Sequence, residues 1–154
     1  MNIFVMDNRN VVAVVKDLIQ AVRDEQEGFR LAAEAFERRD VKVLLVYYSH
    51  QRASFFQELH RLEQVYCEDF EELDNSSREL NAGWNDLHTA LDAHDLEGIL
   101  AACECGETHT IGCYRVALSK ELPLDVQMLI GAQSLEVKAA HDKVRYLRGH
   151  ALAA

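Results

Sequence analysis

Apolar residues from Val11 onward return at alternating steps of four and three, through Val15, Leu18 and Val22, give way at Glu25 and Gln26, and resume at Phe29, Ala33 and Phe36. That spacing keeps one face of a 3.6-residue helix apolar and predicts a long amphipathic helix over residues 8 to 38. Arg39 and Asp40 make a short break. Asp40 is the expected N-cap of a second helix from Val41 to about Phe70, with Leu44, Tyr47, Phe55, Leu59, Leu62 and Tyr66 on its stripe. So short a connection makes the two helices antiparallel neighbours.

The pattern fails across "LDNSSRELNAG", Leu73 to Gly83, which reads as a loop, and returns briefly as Trp84, Leu87 and Leu91 on one small helix. Asp95 is placed to cap a third long helix from Leu96 to about Lys120, with Ile99, Leu100, Cys103, Thr110, Tyr114 and Leu118 inward. Pro123 opens a fourth, where its missing N–H costs nothing, and Val126, Ile130, Val137, Ala140, Val144 and Leu147 form its stripe.

Helices of about 25 to 30 residues span roughly 40 Å, which suits near-parallel packing. The expected architecture is an all-α, ferritin-like four-helix bundle, one domain over residues 1–154, with a long crossover carrying a short helix between the second and third helices. Gly28, Gly106, Gly112 and Gly131 interrupt helix interiors and are expected to mark close helix approach.

Asp and Glu outnumber Lys and Arg by 26 to 16, and the net charge of −10 repels nucleic-acid backbones and anionic lipid heads. Neither nucleic acid nor a membrane surface is an expected partner. The N-terminus has no basic cluster followed by a long apolar run, so a cytoplasmic location is expected, with Cys67, Cys103, Cys105 and Cys113 as free thiols.

Each core stripe is broken once by something polar: Glu25 or Gln26 on the first helix, Gln51 on the second, Glu107 on the third and Gln133 on the fourth. Together these form a candidate polar layer. Glu107 is its clearest member, because a carboxylate on a core stripe must be paired, protonated or metal-bound. A ferritin-like di-iron site draws on one Glu from each of two helices and a Glu-x-x-His from each of the others. Here the second helix offers Gln51 and Ser54 and the fourth Gln133 and Glu136, while His60 and His141 lie off register by a turn or more. Two readings follow. The layer is a hydrogen-bonded network that fixes helix register. Alternatively, Glu107 and Glu136, completed by Glu104 and Glu27, hold iron, manganese or zinc.

Cys105, His109 and Cys113 align at steps of four on the third helix, but one straight helix rarely offers more than two converging ligands to zinc or copper. His141 beside Asp142 and Arg145 has the order of an oriented base, yet Asp142 and Arg145 are spaced as an ordinary helix-surface ion pair. His88 and His94 flank the small helix, which Trp84 is expected to pin over the bundle. The acidic run "CEDFEELD", Cys67 to Asp74, reads as a solvated helix end.

"DEQEGFRLAAEAF" from Asp24, "QRASFFQEL" from Gln51, "GWNDLHTALDAHDLEGILAACECGETHTIGCYRVALSKELP" from Gly83 and "QSLEVKAAHDKVRYLR" from Gln133 together resemble a bacterial family of ferritin-like four-helix-bundle proteins of unknown function. The resemblance implies that Asp24, Gly28 and Glu34, Arg52, Glu104 and Glu107, and Gln133, His141 and Asp142 are its recurrent polar positions. The chain departs from that pattern at Gln51, where a glutamate is common, and at Glu25, where a glycine is. By analogy the resemblance implies a di-metal or stress-related role. The expected function is a non-enzymatic structural or interaction role, with self-association through a helical face. The alternative is a metal-binding or redox protein using carboxylates in the bundle core, Gln26, Gln51, Gln133 and His141 being the rest of the polar layer.

Overall fold

A computed structural model describes residues 6–67 and 83–150. Among the described residues there are five helices and no strand: α1 (Asn8–Glu34), α2 (Arg39–Tyr66), the short α3 (Leu87–Asp92), α4 (Leu96–Leu118) and α5 (Leu124–His150). The four long helices pack as a bundle. α1 lies chiefly against α2 and α4 against α5, α1 also contacts α4, and α2 and α5 meet sparsely.

Local chemistry sets the helix ends. The Asp7 carboxylate accepts from the backbone N–H of Asn10 at 3.0 Å, and that of Asp95 accepts from Gly98 at 3.0 Å, so both are N-caps that satisfy an otherwise unpaired donor. Pro123 precedes α5 and lends its carbonyl to the Gln127 N–H at 2.9 Å. At the junction of α1 and α2 the expectation fails. α1 ends at Glu34 rather than near residue 38, and α2 begins at Arg39 behind Arg38, whose side chain makes no cap bond. Asp40 is not the N-cap. It lies in the first turn, where its charge suits the positive helix end, and pairs with Arg38 Nε at 2.9 Å. α2 ends at Tyr66 with Cys67 as C-cap. The expected last turn to Phe70, nearly all of the loop Leu73–Gly83 and all but the first residue of the acidic run lie outside the described residues.

The stripes of α1 and α5 face the core as expected, and on α4 only Leu118 stays half-buried, beside a buried Ala117. On α2 Phe55 and Leu59 are buried as expected, but the N-terminal half of the stripe is displaced by one residue. Leu45 and Tyr48 are buried where Leu44 and Tyr47 were expected, and Tyr47 is 55% exposed. Turning α2 by this step also brings Arg52, rather than Gln51, to its innermost line.

The core is two hydrophobic clusters end to end. One gathers Phe29, Phe36, Leu45, Tyr48, Leu100 and Val144 around Trp84, and the other gathers Leu18, Val22, Phe55, Leu59, Tyr114 and Ile130. Trp84 is buried with its ring against α1 at Gly28 and α4 at Gly106, where a Cβ would lie 2.3 Å and 2.1 Å from ring carbons. Those two glycines therefore make room for an aromatic ring that anchors the crossover, rather than for a neighbouring helix. Nothing lies within 4 Å of a Cβ at Gly112 or Gly131, so these two mark no close approach.

Candidate functional site: a buried guanidinium between two carboxyls

Between the two apolar clusters lies one charged layer, contributed by three long helices. The stripe of α2 runs Tyr48, Arg52, Phe55 and Leu59, which delivers the Arg52 guanidinium to the bundle axis. Glu25 occupies the corresponding place on α1, three residues after Val22 and four before Phe29, and Glu107 on α4, four after Cys103 and three before Thr110. The side chains of Glu25, Arg52 and Glu107 are wholly excluded from solvent. Arg52 Nε donates to Glu25 Oε1 at 2.8 Å, Nη2 donates to Glu107 Oε1 at 2.7 Å, and Nη1 donates to Gln51 Oε1. The rings of Phe55, Phe29 and Tyr48 lie 5.3, 5.8 and 5.9 Å from the guanidinium carbon and line the cation with π-faces.

Burial and charge balance both favour a proton on this layer. Two carboxylates and one guanidinium would leave a net negative charge in a low-dielectric core, which costs several kcal/mol. Burial pushes the Glu107 carboxyl well above its ordinary range, helped by the charge of Glu25, and burial likewise raises Glu25. On Arg52 burial acts in the opposite sense but is outweighed by the two carboxylates, so the guanidinium stays protonated more firmly than usual. The carboxyls interact with each other, and the Oε2 of each is buried with no other hydrogen-bond partner. One proton shared by the Glu25–Glu107 pair would make the layer neutral, in keeping with the upward direction in which burial moves both carboxyls.

Neutral polar groups surround this centre. Gln133 of α5 accepts from the buried Tyr114 hydroxyl at 2.6 Å, and its Nε2 donates to the Phe55 carbonyl at 3.4 Å and to Glu58 at 3.5 Å. Gln51 links outward through Nε2 to Glu136 at 3.2 Å. Ser49 of α2 donates to the Gln26 carbonyl of α1 at 2.8 Å. Cys103 is buried one turn before Glu107, and its thiol is raised by that burial and by the two glutamates, so it is a weak nucleophile.

Of the expected polar layer, Glu107 lies in the charged layer and Gln51 at its edge, while Gln133 is buried against Tyr114 and the Phe55 carbonyl. Gln26 is half-buried, and its neighbour Glu25 takes the inward position. His141 lines the outer groove between α4 and α5, with Nδ1 3.2 Å from Asp142. The four expected metal ligands have separate partners. Glu107 is held by Arg52, Glu136 is exposed and accepts from Gln51, Glu27 pairs with Arg30, and Glu104 pairs with Arg148 at 2.9 Å and Arg145 at 3.9 Å. Among the described residues, no three His, Cys, Asp or Glu side chains are grouped as a metal would require. Cys105 is exposed, and His109 lies 3.6 Å from Cys113.

Of the other positions implied by the family resemblance, Asp24 is buried and accepts from Gln20, Glu34 pairs with Arg30, and Gly28 receives Trp84. No described helix is long and apolar enough to cross a membrane. Arg52 is the central residue that hydrophobic patterning missed. The signal that could have found it is an arginine three and four residues from aromatic positions on a helix whose alternative stripe, Leu45 and Tyr48, is equally apolar.

The family model described as a domain of unknown function, DUF2383, matches residues 10–120, from the first turn of α1 to just past α4. α5, which closes the bundle and supplies Gln133, lies beyond the match. No curated protein matches the chain.

Proposed function

The chain belongs to the DUF2383 family, and we propose that it is a non-enzymatic bundle protein that works by association, with copies of itself or with another protein, rather than by chemistry at its centre. One observation carries this reading: the guanidinium of Arg52 fills the middle of the only all-buried charged layer among the described residues and is bonded to Glu25, Glu107 and Gln51. A resident organic cation does there the charge-balancing that a bound metal does in a ferritin-like site.

The order of long helices, with a short helix on the crossover between α2 and α4, supports a ferritin-like ancestry for the bundle, and with it the stress-related role and cytoplasmic setting expected of such proteins. The donors of a di-metal centre do not fit. Glu107 has one oxygen on Arg52, its expected co-ligand Glu136 is exposed, and neither α2 nor α5 presents a Glu-x-x-His.

The test is elemental analysis of the untagged chain after loading with ferrous iron, manganese and zinc and removal of free ions. The expected result is no near-stoichiometric metal and no difference between wild type and Glu107→Ala. Metal retained by wild type and lost in Glu107→Ala would overturn the reading and favour the metal-binding alternative.

A further inference from the structure

α5 carries a second apolar line besides its core stripe. Leu124, Met128, Ala132, Leu135, Ala139 and Tyr146 recur at helical spacing and all six are exposed, Leu124 and Leu135 at 71% and Met128 at 67%. At 100° per residue they fall on the side of α5 opposite Val126, Ile130, Val137 and Val144, which are buried. The line extends over about 33 Å. The exposed apolar residues of α2 are by contrast Val43, Val46 and Tyr47 within about one turn and an isolated Val65 near its end.

Charge along α5 is polarised. Residues 124–136 contain Asp125 and Glu136 and no Lys or Arg, whereas residues 137–150 contain Lys138 and Lys143, together with Arg145 and Arg148 that share Glu104 of α4, against the single acid Asp142. A second α5 laid parallel would place like charge on like. An antiparallel one lays the acidic half of each helix along the basic half of the other.

We infer that the outer face of α5 pairs antiparallel with the same face of a second copy of this chain, about a two-fold axis at Leu135. This rests on the association reading above. In that register Leu135 meets its own counterpart and Leu124 of each copy meets Tyr146 of the other. The small Ala132 and Ala139 come together beside the axis, where they permit close helix approach. Asp125, whose Oδ1 also accepts from the Tyr66 hydroxyl of α2 at 2.7 Å, and Lys143 lie on the same flank of the stripe, so Asp125 of each copy lies alongside Lys143 of the other. Pairing along the whole line buries on the order of 1,000 Å², near the lower bound of specific interfaces, so the dimer is concentration-dependent. An isologous contact of this kind closes on itself and stops at two chains.

Sedimentation equilibrium of the full chain tests this, with circular dichroism as the check on folding. The expected result is a monomer–dimer equilibrium. Leu135→Glu, which sets like charges against each other on the axis, raises its dissociation constant roughly 30-fold or more. Asp125→Lys weakens the dimer, and Asp125→Lys combined with Lys143→Asp restores it. A wild type that stays monomeric at every concentration overturns the inference, as does a dimer indifferent to Leu135→Glu or a double variant no tighter than Asp125→Lys alone. The metal measurement separates the two readings. A monomeric chain that retains no metal overturns the α5 pairing alone. A dimer split by Leu135→Glu that retains metal through Glu107 overturns the functional reading and leaves the pairing standing.

Discussion

Replacing Arg52 with methionine keeps an unbranched stem in the same channel and removes only the guanidinium, so its effect reports the charged layer rather than a cavity. Wild-type Arg52 makes buried ion pairs of 2.8 Å with Glu25 and 2.7 Å with Glu107, and a third bond to Gln51. Its removal leaves both carboxyls without a counter-charge in a layer that admits no water. Breaking a buried pair in this way costs about 3 to 5 kcal/mol, a large fraction of the roughly 5 to 15 kcal/mol that holds a domain folded. With a urea slope of about 2 kcal/mol per molar, the unfolding midpoint of Arg52→Met falls by about 2 M. The companion variant carries Glu25→Leu, Arg52→Met and Glu107→Leu together. It removes all three charges and replaces them with apolar volume that joins the two clusters into one core. Its expected stability is within about 1 kcal/mol of wild type or above it. Urea unfolding followed by circular dichroism at pH 7 measures both. A loss below about 1 kcal/mol in Arg52→Met would refute the claim that the guanidinium neutralises a sealed acidic pair. A triple variant as unstable as the single one would show that the layer contributes specific packing that apolar residues cannot replace.

Two further predictions follow from the same geometry. Because burial raises the Glu107 carboxyl above its ordinary value of 4.5, the folded state holds a proton that the unfolded chain has lost, and wild-type stability falls as pH rises above that value and through the folded pKa, by up to about 1.4 kcal/mol per pH unit for one proton. Glu107→Gln mimics the protonated acid, so its stability relative to wild type grows between pH 5 and pH 8 in urea titrations, and a relative stability that shrinks over that range would count against a retained proton. Gly28→Ala and Gly106→Ala each drive a Cβ into the Trp84 ring and cost about 1 to 3 kcal/mol by overpacking, despite alanine's better helix propensity. Emission from the chain's single tryptophan should shift to the red in both variants, and unchanged emission and melting temperature would show that Trp84 does not anchor the crossover.

How far the sequence was legible depends on what each residue must choose between. α1 and α5 each carry an apolar stripe interrupted once, at Glu25 and at Gln133, and the apolar residues expected to face inward on them are buried. α2 opens with Val41, Val43, Leu44, Leu45, Val46, Tyr47 and Tyr48, which is apolar on nearly every side. Two stripes one residue apart are then equally consistent with the pattern in that segment, and only packing against α1 and the ion pair with Glu107 of α4 decide between them. That ambiguity exchanged Gln51 for Arg52 at the centre of the site. Helix ends at Asp7 and Asp95 were set by a side chain bonding the backbone three residues on. The boundary at Asp40 was misread because Arg38, two residues away, captured the same carboxylate.

Glu107 illustrates a different limit. Its place on the α4 stripe established that it is buried, and burial established that its charge must be compensated, but the identity of the compensating group was not encoded near it. A proton, a cation or an arginine from another helix each satisfies the same local requirement. Arg52 lies 55 residues away in sequence and reaches Glu107 only because α2 runs back beside α1 while α4 closes on α1 from another side. Once the guanidinium is in place, the arithmetic of two acids and one base leaves a single proton to be held, which is the opposite of what a divalent metal requires of its carboxylates. The same three residues therefore tie the stability of the bundle to pH and oppose cation binding, and one substitution, Glu107→Gln, relieves the pH dependence without creating a cation site.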